Sequence, residues 1–219
     1  SHLYICSEGA EVSIDWLQFK NPESYFAPAT ETPVKPDAEG FVRRWTLLEP
    51  IDKPNPTNTV FTDSYLREHF YMEYFPEQFS IIPRNGQRVK VGDQRLTWHT
   101  MDSERYNIKL FRFADALNKR LYGVLFWGVT IIDCPEEITD VRLSVGSNSA
   151  SMWWLNGEEV LLLSGDRRMV RDDAVSNRLT LKKGHNIIRG AVINGPGMSD
   201  FCLRFIDKDG QPITHFTIK

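Results

Sequence analysis

At 219 residues, with 41% apolar and 12% aromatic side chains, the chain has the length of one large β-sandwich, or of a domain with an appendage, and enough apolar matter for a substantial core. That composition excludes wholesale disorder. The formal net charge of −3 gives no basic field to hold nucleic acid or an anionic membrane, and no run of about 18 apolar residues is present to cross a bilayer. No secretory leader is read either, although a piece cut from a longer chain would lack one anyway. Cys6, Cys134 and Cys202 are odd in number and widely spaced, with no CxxC. They read as buried thiols, with a single disulfide left open for an exported protein and no support for zinc.

In chain order, residues 1–20 read as a hairpin: Leu3 to Cys6, a turn at Ser7-Glu8-Gly9, then Val12 to Phe19. Val12, Ile14 and Trp16 share one face and Leu17 and Phe19 the other, so this ribbon needs something to pack on. Residues 21–39 carry Pro22, Pro28, Pro33 and Pro36 without apolar period and read as a semi-rigid linker. Residues 40–219 form the main module. Phe41 to Leu48 is its first strand. A proline-rich loop follows, and Thr62 or Asp63 caps a short helix ending at Phe70. Asn85-Gly86 and Gly92-Asp93 are turns around a strand at Arg88 to Val91, and Leu96 to His99 is the next strand. Residues 107–117 fit either period, and the reading taken is a strand at Ile108 to Phe111 followed by a helical turn. Leu121 to Ile132 is an almost unbroken apolar run holding Trp127, predicted to be a central strand buried on both faces.

The strongest local signal comes next. Asn156-Gly157, between Trp153-Trp154-Leu155 and Val160 to Leu163, tolerates positive φ at both central positions and marks a β-hairpin. Upstream, Val141, Leu143 and Val145 alternate with polar residues. Downstream, strands are predicted at Arg178 to Leu181, Asn186 to Ile193 and Phe201 to Ile206, with turns at Lys183-Gly184 and Asn194 to Gly197. The fold class is all-β: an antiparallel β-sandwich with an N-terminal β-hairpin.

These residues also carry a resemblance. "SVGSNSASMWWLNGEEV", then "LTLKKGHNIIRGAVINGPGMSDFCLRF", resembles the jelly-roll modules of the galactose-binding-domain-like superfamily found in multidomain secreted polysaccharide-degrading proteins. "FVRRWTLLEPI" is similar to their opening strand, with Glu49 where glycine is usual. "HLYICSEG" and "VSIDWLQFK" resemble the last two strands of family 6 carbohydrate-binding modules. The resemblance implies a jelly roll serving as a non-catalytic accessory module of a xylan-active esterase or glycoside hydrolase. It further implies a secreted, periplasmic or surface location in a plant-cell-wall-degrading bacterium, an adjacent catalytic domain in the same chain, and xylan-like polysaccharide as partner. A superfold of this kind does not fix a task by itself.

Catalytic signals are thin. GxSxG is absent. "FTDSYL" is loosely like the nucleophile block of GDSL esterases, with Ser64 as the serine, but the Asp-x-x-His that would activate it does not occur, and the segment reads better as a helix cap. Carboxylates are plentiful, yet none is set so as to raise its pKa for glycosidase work. Sugar recognition pairs an aromatic face with hydroxyl-binding Asp, Asn and Arg. Consecutive Trp153 and Trp154 point to opposite faces, so either one is core and the other stacks on sugar, or both are buried. Arg167, Arg171 and Asp172 lie in a polar loop directly after the tryptophan hairpin, readable as polar contacts or as a self-neutralised surface. Asn194 opens a glycine-containing loop able to approach from the other side. A rival reading is a structural spacer that binds no sugar. No cofactor is expected, and a structural calcium held by Asp172, Asp173 and carbonyls stays open, although no loop of alternating carboxylates is present.

Overall fold

The structure is a computed structural model, and residues 25–219 are described. The predicted hairpin at residues 1–20, with Cys6 and Trp16, lies outside them.

Two antiparallel sheets face each other. The larger has the order β1 (Phe26–Pro28), β5 (Gln94–Ser103), β2 (Arg44–Leu48), β6 (Val124–Cys134), β12 (Gly184–Ile193), β8 (Ala150–Leu155), β9 (Glu158–Leu163). β3 (Ile51–Asp52) and β14 (Thr217–Ile218) add to β6, and β4 (Arg88–Val91) adds to β5. The smaller sheet is built on β7 (Ile138–Asn148), flanked by β13 (Asp200–Ile206) on one side and by β10 (Ala174–Val175) and β11 (Leu179–Leu181) on the other. This is the predicted all-β sandwich.

The sheet pattern follows from which faces are buried. Along β6, Val124, Phe126 and Ile132 enter the core between the sheets, with Trp45, Leu143, Trp153, Leu203 and Phe205. The alternate residues Leu125, Trp127 and Val129 enter a second core on the outer face of the large sheet. α1 (Asp63–Tyr71) and the chain after it roof that second core with Leu66, Phe70 and Phe75. Burial on both faces is why residues 121–132 read as continuous rather than alternating. α1 begins as expected: the Thr62 hydroxyl accepts from the Tyr65 amide, worth about 1 kcal/mol.

Three expectations are revised. The strand at Ile108 to Phe111 shrinks to a single bridge between Ile108 and Phe201, because α2 (Leu110–Ala116) starts there and drops Leu110, Phe113 and Ala114 into the core at helical spacing. The described part of the proline-rich stretch is not a free spacer. Phe26 to Pro28 pairs with Ser103 to Met101, and Val34 exchanges two backbone hydrogen bonds with Ile218. The first strand is split: Phe41 bridges Arg204 in the small sheet, and only from Arg44 does the chain join the large one. Glu49, where glycine is usual in the resembled modules, staples the turn. Its carboxylate accepts from the Thr97 amide at 3.2 Å and meets Lys119 Nζ at 3.2 Å.

Cys134 and Cys202 are free and buried. Burial pushes the Cys202 thiol up to about 12 and raises that of Cys134. At pH 8 neither is expected to take up iodoacetamide until denaturant opens the sandwich, as read by peptide mapping; labelling of either in the folded protein would contradict the packing.

Candidate functional site

The residues expected to bind sugar are distributed quite differently from that expectation. The Asn156-Gly157 hairpin is formed, with φ of 52° and 90° at its two central residues, and it sends Trp153 and Trp154 to opposite faces. Both rings are nonetheless buried, at 0% and 2% exposure. Trp153 packs edge-on against Trp45 and Phe201, and its indole N–H donates to Ser151 Oγ at 2.9 Å. Trp154 stacks on Trp127 with centroids 5.4 Å apart and meets Phe79 edge-on. Neither can face a ligand, so both are corrected from binding to core residues. The physical reason is that each face of β8 has its own core to fill.

The polar loop is also occupied with itself. Arg167 donates through Nε and Nη2 to Asp173 at 2.7 and 2.6 Å. Asp172 receives the Arg204 fork, Nε at 2.9 Å, and the Ser144 hydroxyl. Burial pulls the Asp172 carboxyl upward, but these partners outweigh it and hold it below the ordinary value. Arg171 lies 3.9 Å over the Tyr106 ring and pairs with Glu39. These contacts bind the loop to β7, β13 and the chain at Glu39. They leave little for a ligand, and among the described residues no group of three or more metal-binding side chains converges. Ser64 sits exposed in the first turn of α1, its hydroxyl 3.3 Å from that of Thr62; among the described residues no histidine joins it.

Asn194 is the exception, because its place leads to a surface that the sequence reading missed. It is fully buried. Its Oδ1 accepts from the Val124 amide at 3.1 Å, and its Nδ2 donates to the Leu121 carbonyl at 2.9 Å and the Gly197 carbonyl at 3.1 Å. Asn194 therefore touches no ligand. It clamps the entry to β6 onto the exit from β12.

Asn58 repeats the device on the other side of the same loop. Its Oδ1 accepts from the Gly195 amide at 2.9 Å, and its Nδ2 donates to Asp166 at 2.7 Å. Two glycines permit this close approach: a Cβ at Gly195 would fall 2.6 Å from Asn58 Oδ1, and Gly123 has φ +62° with Pro54 Cα 3.1 Å from where its Cβ would be. The Gly123 amide donates to the Gly195 carbonyl, and the Lys53 amide to the Gly123 carbonyl.

Between Leu121 and Gly123, both pinned, stands Tyr122. Its ring is half exposed and, among the described residues, makes no hydrogen bond or ring contact. It opens on a groove of about 340 Å³ shared with Pro54, Asn55, Pro56, Arg120, Gly123, Gly195 and Pro196. Arg120 also lines an adjoining cleft of about 470 Å³ with Asp52, Gln94, Arg95, Asn118 and Lys119. An apolar ring on a rigid rim, next to amide, guanidinium and carboxylate groups, is the arrangement that holds a polar ring-shaped ligand in water. A larger cleft of about 720 Å³, walled by Glu77, Ser80 to Ile82 and Arg84 to Gln87, has no aromatic ring in its lining.

No family model matches the chain, and no curated protein matches it. Among solved structures it is similar to a PA14 sugar-binding domain from an RTX adhesin, at 9% identity over 80% of this chain and 96% of that one, with a TM-score of 0.42. It is similar also to the PA14 domain of the MpAFP antifreeze protein, at 9% identity over 88% and 95%, with a TM-score of 0.43. A third likeness, at 22% identity and TM-score 0.33, is to a β-glucosidase from Kluyveromyces marxianus in complex with glucose; it covers 54% of this chain and 14% of that one. At such scores the resemblance is one of general shape, and what the chain binds rests on its own residues.

Proposed function

We propose that this chain is a non-catalytic carbohydrate-binding module, and that its sugar site is the rim around Tyr122 rather than the tryptophan hairpin. The observation that carries the reading is an exposed aromatic ring whose flanking backbone is fixed by Asn194 and Gly195 while most of the other large aromatics serve the two cores. Sugar stacking on such a ring costs little ordering, since the platform is already in place. The motif resemblance supports the finer part of the proposal: an accessory module of a secreted polysaccharide-degrading enzyme, holding an adjacent catalytic domain near plant cell-wall glycan such as xylan.

Tyr122→Ala is expected to weaken binding to a soluble glycan panel by about tenfold, the equivalent of ~1.4 kcal/mol, with an unchanged melting temperature. Titration calorimetry against xylan, mannan and pectin fragments measures the first and thermal denaturation the second. Unchanged affinity would remove Tyr122 from the site.

One observation favours the rival reading, a spacer that orients its neighbours. Trp45, Trp98, Trp127, Trp153 and Trp154 are all buried, and Phe75 and Phe79 pack on them. A protein that binds nothing in the panel is that spacer.

A further inference from the structure

The two clefts that meet at Arg120 differ in character. Beside Tyr122 the walls are proline, glycine and asparagine; beyond Arg120 they carry Arg95, Lys119 and Arg120 with a single exposed carboxylate, Asp52. Lys119 is already matched by the buried Glu49 at 3.2 Å. Arg120 and Asp52 stand 3.9 Å apart and each is about half exposed, at 53% and 50%, so that pair is open to exchange. Arg95 makes no ion pair among the described residues, and across the β4–β5 hairpin it faces another cation, Lys90. Of the two guanidinium groups that line this cleft, Arg120 has Asp52 and Arg95 has no carboxylate partner among the described residues, while Asp52 also lines a neighbouring cleft with Glu73 and Asp93.

We propose that the sugar taken by this rim is a uronic acid, its ring face on Tyr122 and its carboxylate on Arg120 and Arg95; this rests on the carbohydrate-binding reading above. A guanidinium fork matches a carboxylate in geometry and charge, whereas a neutral hydroxymethyl group would leave the extra cation unanswered. Partial exposure keeps the attraction modest and sensitive to salt.

The probes are trigalacturonate and a glucuronate-bearing xylotetraose, each titrated beside its own methyl ester, so that only the carboxylate charge and a small methyl group differ. At about 20 mM salt each acid is expected to bind about fivefold or more tightly than its ester, a gap that closes near about 300 mM. Arg120→Gln combined with Arg95→Gln is expected to abolish the gap between acid and ester, while Tyr122→Ala weakens acid and ester together and keeps the gap between them. Equal affinity for acid and ester, or a gap that survives in the double variant, overturns the uronate assignment and leaves carbohydrate binding standing. Binding of neither acid nor ester, nor of any glycan in the panel, overturns both. Melting temperatures of the exposed Arg→Gln variants, expected to match the parent, separate lost recognition from lost fold.

Discussion

Trp154→Ala is expected to cost about 3–5 kcal/mol of folding stability, the usual toll for deleting a fully packed indole. Trp154 is 2% exposed, stacked on Trp127 and edged by Phe79, with the Tyr71 ring against it from the roof. Removing it takes the support from under the segment that covers the outer face of the large sheet, so the loss is expected as a lower urea midpoint together with early exposure of residues 72–82 to hydrogen exchange. A loss under about 1 kcal/mol would mean that the ring is not packed as described. Set beside Tyr122→Ala, the variant also locates the binding surface. One aromatic is expected to change stability and the other affinity.

Asn194→Ala is expected to cost about 2–4 kcal/mol and to abolish glycan binding although Asn194 touches no ligand. The substitution strands the buried Val124 amide, at about 1–3 kcal/mol, and removes the donor held by the part-buried Leu121 carbonyl and by the carbonyl of exposed Gly197, which add less because they lie nearer to water. Asn194→Asp is the sharper comparison. It keeps the acceptor for Val124 but turns an anionic oxygen toward the two carbonyls, so it is expected to destabilise at least as much as alanine at neutral pH. Chemical denaturation gives the energies, and hydrogen exchange at the Val124 amide reports whether the clamp has opened. A variant with parental stability and protected Val124 would show that the rim is held by something else.

Much of the fold was legible because the informative signals are local. Asn156-Gly157 can hardly be anything but a tight turn, and the period-2 and unbroken runs around it distinguish strands with one or two buried faces. Ile108 to Phe111 departs from the expected strand because both periods fit its apolar residues, and Phe201 and the core beneath, distant in sequence, decide between them. The binding surface was the least legible part. Trp153 and Trp154 attracted attention as sugar-stacking rings, but nothing local shows that α1 and the following chain roof one face and the small sheet the other. Tyr122 was hidden at the head of an apolar run. The signal that could have found it is Gly123: a glycine directly before a strand, next to an aromatic, hints at a turn that ejects the preceding side chain. Asn194 lies in the expected loop but has a different role, since a buried asparagine with three backbone partners looks the same in sequence as one that binds hydroxyls.

The pairing of Val34 with Ile218 gives the module a polarity. Ile218 lies against Ile132, and Val124 begins the same strand eight residues earlier, so roughly 26 Å of β6 separates that pairing from the Tyr122 end. Cargo joined after Lys219 rides at the pole remote from Tyr122, and a molecule tethered to a bead or chip through that end displays its tyrosine toward the bulk.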